Sequence, residues 1–170
     1  MNESNEQDWQ HRVDAIWRDE SLSDDARIAA IAELASRLPV SDPRGPFELG
    51  GAYDSAGFER EAAAHYERAI ELGLAGSARE QLDIQYASTL RNLDRTDEAI
   101  QLLRETPANA ELAGERQAFL ALALHSAGRG SEAVAVAIEA LIPHLSRYQR
   151  SLTHYAAALR PQHEPEQSAT

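Results

Sequence analysis

Apolar residues recur at helical spacing along most of the chain, in paired segments separated by short polar turns. In the first segment, Trp9, Val13, Ile16 and Trp17 follow the i, i+4, i+7, i+8 spacing of one helix face. A second stripe occupies residues 28–38 and stops before a proline, which cannot continue a helix. The pattern predicts an all-α chain that begins with a helix pair.

Small residues then return at fixed intervals, which indicates an internal repeat. Aligned positions are separated by 37 and then 34 residues, and the extra residues fall in the loop 73–77. Three sets of equivalent positions, here called columns, align the three repeats. They are Gly50, Ala87 and Ala121; Gly57, Asp94 and Gly128; and Ala62, Ala99 and Ala133. Small side chains in the first and third columns let two helices of a hairpin approach closely, and the middle column supplies the turn. The sequence therefore predicts three stacked helical hairpins.

Helix-start signals divide the chain further. Ser23 or Asp24 is expected to cap the second helix, Asp42 precedes a proline at the start of repeat 1, and residues 77–80 read as a capping box. Thr96 and Ser131 are expected to cap the second helices of repeats 2 and 3. We predict one domain, 1–160, made of an N-terminal helix pair (6–38), repeats at 43–76, 77–108 and 109–145, and a capping helix (146–160), followed by a disordered tail (161–170).

Composition narrows the function. With 28 acidic against 16 basic residues the formal net charge is -12, which disfavours nucleic acid and anionic membranes as partners. The chain has no cysteine, and its histidines lack the helical zinc spacing. No phosphate-binding loop or nucleophile elbow is found, and the apolar run 118–124 is too short to span a bilayer. We expect a cytoplasmic protein that is not an enzyme and has no catalytic, metal or cofactor site.

The ladder Gly50, Tyr53, Gly57, Ala62, Tyr66 and Ala69 resembles the tetratricopeptide repeat. Residues 49–57 and 88–93 are similar to the bacterial tetratricopeptide repeat group 5, and the likeness covers 43–145. It departs from the pattern at Pro46, where a large aromatic is usual, and at Leu74, where a proline is usual. The resemblance implies a right-handed α-α superhelix that binds proteins or peptides in a concave groove.

By the same resemblance, the first helix of each repeat lines that groove. The facing positions in repeat 1 are Arg44, Phe47, Glu48, Gly51, Asp54 and Ser55, in repeat 2 Gln81, Ile84, Gln85, Ser88, Arg91 and Asn92, and in repeat 3 Glu115, Ala118, Phe119, Leu122, His125 and Ser126. From these we take as the peptide-binding residues Phe47, Gly51, Asp54, Gln85, Ser88, Arg91, Asn92, Phe119, Leu122 and His125. The basic clamp for a terminal carboxylate, known from the chaperone-tail subgroup, is missing at the matching positions.

Three questions stay open at this level. Gly51 faces the groove, so either a group approaches its backbone closely or the glycine is simply tolerated. Arg91 is expected to pair with Asp54, or else to hold a ligand carboxylate. Phe119 and Leu122 need cover, either from the last helix or tail or from a partner.

The sequence thus favours a protein- or peptide-binding scaffold whose partner it does not identify. The alternative is a homo-oligomerisation module, such as a homodimer, that buries the apolar face formed by Phe119 and Leu122. A metal-binding or catalytic protein is the third alternative.

Overall fold

The computed structural model describes residues 3–105 and 111–160, and within them the chain is helical throughout, with no β-strand. The elements are α1 (Glu3–Arg18), α2 (Asp24–Ala35), α3 (Arg44–Ser55), α4 (Glu59–Glu71), α5 (Gly76–Asn92), α6 (Thr96–Glu105), α7 (Ala113–Ser126), α8 (Gly130–Leu141), a 3-10 turn (Ile142–His144) and α9 (Gln149–Leu159). None of these helices combines the length and the apolarity that a membrane span requires.

The turn column predicted from the repeats adopts the expected backbone. Gly57, Asp94 and Gly128 have φ angles of 77°, 61° and 74°, all in the left-handed region. Each ends the first helix of its hairpin, where a left-handed residue lets the chain reverse. The register read from small residues is confirmed at all three turns.

The predicted helix caps are only partly right. The Ser23 hydroxyl accepts a hydrogen bond from the Ala26 amide at 3.2 Å, as expected of an N-cap. The capping box at residues 77–80 is wrong, because α5 begins one residue earlier at Gly76 and its N-cap position, Ala75, has no side-chain acceptor. Ser131 likewise lies inside the first turn of α8, with Arg129 at the N-cap. At α5 the earlier start falls on Gly76, whose φ of 66° is in the left-handed region that glycine adopts without steric cost.

The starts of two further helices also differ from expectation. The N-cap position of α3 is Pro43, and Asp42 lies one residue outside, although its carboxylate still accepts from the Arg44 amide at 3.1 Å. The last helix begins at Gln149, after Tyr148 takes a left-handed φ of 66°. The predicted start of repeat 3 near Asn109 and the tail 161–170 lie outside the described residues.

The described chain divides into two compact units, an N-terminal unit ending at Arg95 and a C-terminal unit beginning at Thr96. In the N-terminal unit, α1 to α5 pack in consecutive order, and α3 also contacts α5. The first three helices share a core of buried side chains: Trp9, Val13, Ile31, Leu34, Leu38 and Ala52. Within it the Trp9 indole donates to the Leu34 carbonyl at 3.0 Å, which satisfies its polar atom.

The hairpin of α3 and α4 shows why small residues recur. Tyr66 is fully buried, and a β-carbon added to Gly50 would lie 2.5 Å from its ring. No side chain larger than hydrogen fits there without movement of the ring. The small-residue column is therefore set by close approach of the two helices.

The C-terminal unit repeats this order, with α6 packed on α7, α7 on α8, and α8 on both the 3-10 turn and α9. Leu124 and Ala135 are fully buried between these helices. The buried Glu132 carboxylate is held by Arg104 and by Arg129, whose Nη2 lies 2.6 Å away. The all-α class of stacked helical hairpins is confirmed, while the domain boundaries drawn from the sequence stay predictions.

Candidate functional site

A cavity of about 330 Å³ opens between α1, α3 and α5 in the N-terminal unit. We call it the polar pocket, and its lining consists of Gln10, Asp14, Trp17, Phe47, Glu48, Gly51, Gln81 and Gln85. Three of the residues predicted to bind peptide, Phe47, Gly51 and Gln85, are brought together here. The repeat pattern had placed Glu48 and Gln81 on the same face.

Glu48 is the most buried charged group of the polar pocket, with 9% of its surface exposed. The Trp17 indole donates a hydrogen bond to its Oε2 at 2.8 Å. Burial raises the pKa of Glu48, the charge of Asp14 adds to this rise, and hydrogen bonds from Trp17 and Gln10 oppose it. The geometry thus holds a carboxyl group in a partly desolvated concave site.

The Trp17 ring of α1 is the group nearest to Gly51. A β-carbon built on Gly51 would lie 3.4 Å from the edge of this ring, an ordinary contact distance. A methyl group therefore fits beside Trp17, so close approach does not require glycine at this position. Trp17 covers part of the face of α3 that the repeat pattern had left open.

Asp54 and Gln85 connect to the hairpin behind them. The Thr89 hydroxyl donates to Asp54 Oδ1 at 2.7 Å, and the Tyr66 hydroxyl lies 3.5 Å from Gln85 Oε1. Burial raises the pKa of Asp54, the Thr89 hydrogen bond lowers it, and Glu59 raises it further. Both side chains are thus oriented by α3–α5 and α4–α5 contacts.

Arg91 does not pair with Asp54 in the part of the chain that the structure describes. Its Nη2 donates instead to Asn92 Oδ1 at 3.0 Å, while Asp54 takes the Thr89 hydroxyl. The expected Arg91–Asp54 ion pair is therefore wrong, because Thr89, two residues earlier on α5, is the side chain that contacts the carboxylate. Ser88 is half-buried and Asn92 is exposed at the same end of α5.

The three predicted groove residues of repeat 3 lie on α7 of the C-terminal unit. Leu122 is 47% exposed, Phe119 is half-buried and His125 is exposed. The last helix, which was one candidate to cover this face, packs against α8 and the 3-10 turn. Leu122 therefore leaves apolar surface open to water.

A larger cavity of about 670 Å³ lies in the C-terminal unit, at the start of α7 and the end of α8. Its lining includes Glu115, Glu139 and His144. Glu139 is already paired with Arg160, whose Nε lies 3.1 Å from Oε1. This cavity was not anticipated from the sequence, and its paired carboxylate makes it a weaker candidate than the polar pocket.

Sequence reasoning missed the contribution of α1 to the polar pocket, namely Gln10, Asp14 and Trp17. From the sequence, Trp17 was identified only as part of the apolar face of the first helix. The available signal was Gly51, a glycine inside a helix with no hairpin reason for its small size. Sequence spacing within one repeat could not reveal that the approaching group came from 34 residues earlier.

Comparison with known proteins agrees with the hairpin architecture. The family model described as "Tetratrico peptide repeat", that of the bacterial group 5, matches residues 43–159. No curated protein and no solved structure matches the chain significantly. Because the match extends over well over half of the chain, the chain belongs to the tetratricopeptide repeat family, whose members serve in general as scaffolds for protein interaction.

Proposed function

We propose that this chain is a non-catalytic scaffold that holds a protein or peptide partner along the faces of α3 and α5, with α7 offering a further contact surface. The proposal is carried by the polar pocket, a concave site that gathers Phe47, Gly51 and Gln85 from two repeats. Concave sites with a few oriented polar groups are where proteins most often bind their ligands. We place this activity in the bacterial cytoplasm.

The contacts divide by chemistry. Gln85 and Asp54 are held by neighbouring side chains, so they can orient a partner's backbone without losing much conformational freedom. Ser88, Arg91 and Asn92 continue along α5 and supply a hydroxyl, a guanidinium and an amide. On α7, Leu122 supplies exposed apolar surface, which favours affinity over orientation.

Site-specific photocrosslinking in the native cell tests this proposal. A photoreactive amino acid at Ser88 should form a discrete adduct with a protein partner, and one at Leu122 should do so if α7 also contacts it. Ala64, exposed on α4 away from the polar pocket, is the matched control position and should give none. The proposal fails if Ser88 yields no adduct, or if Ala64 yields the same adducts as Ser88.

The exposure of Leu122 favours a second function, in which the apolar face of α7 belongs to another copy of the chain. In that case the wild-type chain is a dimer by light scattering, and Leu122→Glu makes it monomeric. Leu122→Met, which keeps the apolar volume, should remain dimeric. A wild-type chain that is monomeric at high concentration removes this second function.

A further inference from the structure

The polar pocket carries an unusual balance of charge. Among the residues that the structure describes, its lining contains two carboxylates, Asp14 and Glu48, and three carboxamides, Gln10, Gln81 and Gln85, but no basic residue. The Gln10 amide donates to Asp14 Oδ1 at 3.1 Å, and the Trp17 indole donates to Glu48. These two donors of the pocket are thus turned toward its own carboxylates, and Gln85 Oε1 lies 3.5 Å from the Tyr66 hydroxyl. The carboxylate and carboxamide oxygens each accept more than one hydrogen bond, so they keep acceptor capacity for an occupant.

Glu48 lacks a cationic counterpart in residues 3–105 and 111–160, although it is nine-tenths buried. Asp14, by contrast, has Arg18 at 3.3 Å, in a pair whose Arg18 side chain is 75% exposed. A buried carboxylate is unfavourable unless it is paired with a cation or fully hydrogen-bonded. One indole and one amide from within the pocket do not supply that positive charge.

We propose that the polar pocket is a receptor for an arginine side chain of the bound polypeptide, with the guanidinium placed against Glu48. This rests on the proposed function, since it names the chemistry of the partner that the scaffold holds. A guanidinium stays charged at all physiological pH values and offers five donors in a planar fork. The Glu48 carboxylate and the carboxamide oxygens of Gln81 and Gln85 are the matching acceptors.

The net charge of the whole chain also favours a cationic occupant. A formal net charge of -12 attracts cationic segments and accelerates their encounter with the surface. A guanidinium is also more weakly hydrated than an ammonium, so it enters a partly desolvated pocket more readily than lysine does. Arginine is therefore the occupant that this site fits best.

The two tryptophans of the chain allow a direct test by NMR. The Trp17 indole NH contacts Glu48 in the pocket, whereas the Trp9 indole NH is buried against the Leu34 carbonyl. The full-length protein is titrated with acetyl-Gly-Gly-Arg-Gly-Gly-amide, and both indole signals are followed. The Trp17 signal should shift and saturate, while the Trp9 signal stays in place as an internal control.

Three matched comparisons define the outcome. The same peptide with citrulline, which keeps the shape and loses the charge, should bind at least tenfold more weakly. Glu48→Gln, which keeps the volume and an oxygen acceptor for Trp17, should weaken arginine-peptide binding at least tenfold, and Glu33→Gln on the exposed surface of α2 should not. Free arginine amide should bind more weakly than the peptide, because it lacks the backbone contacts.

The proposal is overturned if the Trp17 signal does not move at millimolar arginine peptide, or if citrulline binds equally well. It is also overturned if arginine amide binds as tightly as the peptide, since the ligand would then be a small cation. Crosslinking at Ser88 distinguishes the scaffold function from arginine recognition. Adducts at Ser88 without arginine binding leave the scaffold function standing and remove only this proposal.

Discussion

The neighbouring glycines of α3 should respond to alanine substitution with opposite signs. Gly50→Ala is expected to lower the free energy of unfolding of the N-terminal unit by about 2 kcal/mol. Gly51→Ala is expected to raise it by about 0.5–1 kcal/mol. The two positions share a helix, so their intrinsic helix propensity is the same and the difference comes from packing.

The magnitude at Gly50 follows from its distance to Tyr66. A new β-carbon would lie 2.5 Å from Cδ1 and 2.6 Å from Cε1 of a ring that is fully buried. The ring must move by about 1 Å to reach an ordinary contact, and overpacking of this kind costs up to about 3 kcal/mol. Alanine regains about 1 kcal/mol of helix propensity. Packing therefore outweighs propensity at this position.

At Gly51 the same methyl group meets the Trp17 ring at 3.4 Å. That is an ordinary van der Waals distance, so the steric cost is small and the propensity gain of up to about 1 kcal/mol remains. The added methyl group would lie at the wall of the polar pocket.

Urea denaturation followed by tryptophan fluorescence measures both effects, since Trp9 and Trp17 both lie in the N-terminal unit. Circular dichroism over the same samples shows whether helix is lost at the same urea concentration. The reasoning is refuted if Gly50→Ala is as stable as the wild type. It is also refuted if Gly51→Ala is destabilised as much as Gly50→Ala, because packing against Tyr66 would then not explain the loss of stability.

Four further substitutions test the site and the turns. Glu48→Gln should stabilise the fold at neutral pH. Burial raises the pKa of Glu48 in the folded state above its value in the unfolded chain. The stability linked to protonation of Glu48 is therefore present below the unfolded pKa and is lost as the pH rises through the raised folded pKa. Urea denaturation at pH 4 and pH 7 checks this, and an advantage of the variant that is larger at pH 4 would contradict it. Thr89→Val removes the hydroxyl that donates to Asp54 at 2.7 Å and should lower the free energy of unfolding by about 1–2 kcal/mol. It should also raise the pKa of Asp54 further, which NMR of the carboxyl group measures. An unchanged pKa would show that the hydrogen bond is not formed in solution. Asp94→Gly should stabilise the folded chain by about 1 kcal/mol, because φ at Asp94 is 61° and glycine adopts this conformation without strain. Gly57→Ala, at the matching turn with a φ of 77°, should destabilise the folded chain by a similar amount. Thermal melts of both variants test whether the two turns are equivalent.

Part of the fold could be read from the residues because it depends on local geometry. A residue that ends a helix with positive φ must be glycine or one of few alternatives, so Gly57, Asp94 and Gly128 could be identified without a structure. The close contact of α3 and α4 at Gly50, called here the small-residue seam, could be predicted in the same way, because only small residues recur where two helices touch. Caps were less predictable, because hydroxyls at Ser77 and Ser131 compete with glycine-led starts.

The candidate site was predicted only on the helices that carry the repeat. The polar pocket brings together Phe47, Gly51 and Gln85 because helical spacing places these positions of α3 and α5 on the faces predicted from the repeat. Arg91 was assigned the wrong partner, since i, i+2 differences along α5 decide which side chain reaches Asp54, and this depends on how α3 and α5 are rotated against each other.

The order of turns, the small-residue seam and the acidic charge of this chain were determined by the sequence alone, because each follows from backbone sterics or from counting ionisable groups. The polar pocket was decided by tertiary structure. It exists because α1 folds back so that Trp17 reaches both Gly51 and Glu48, and a contact between residues this far apart in the chain leaves no periodic trace in the sequence.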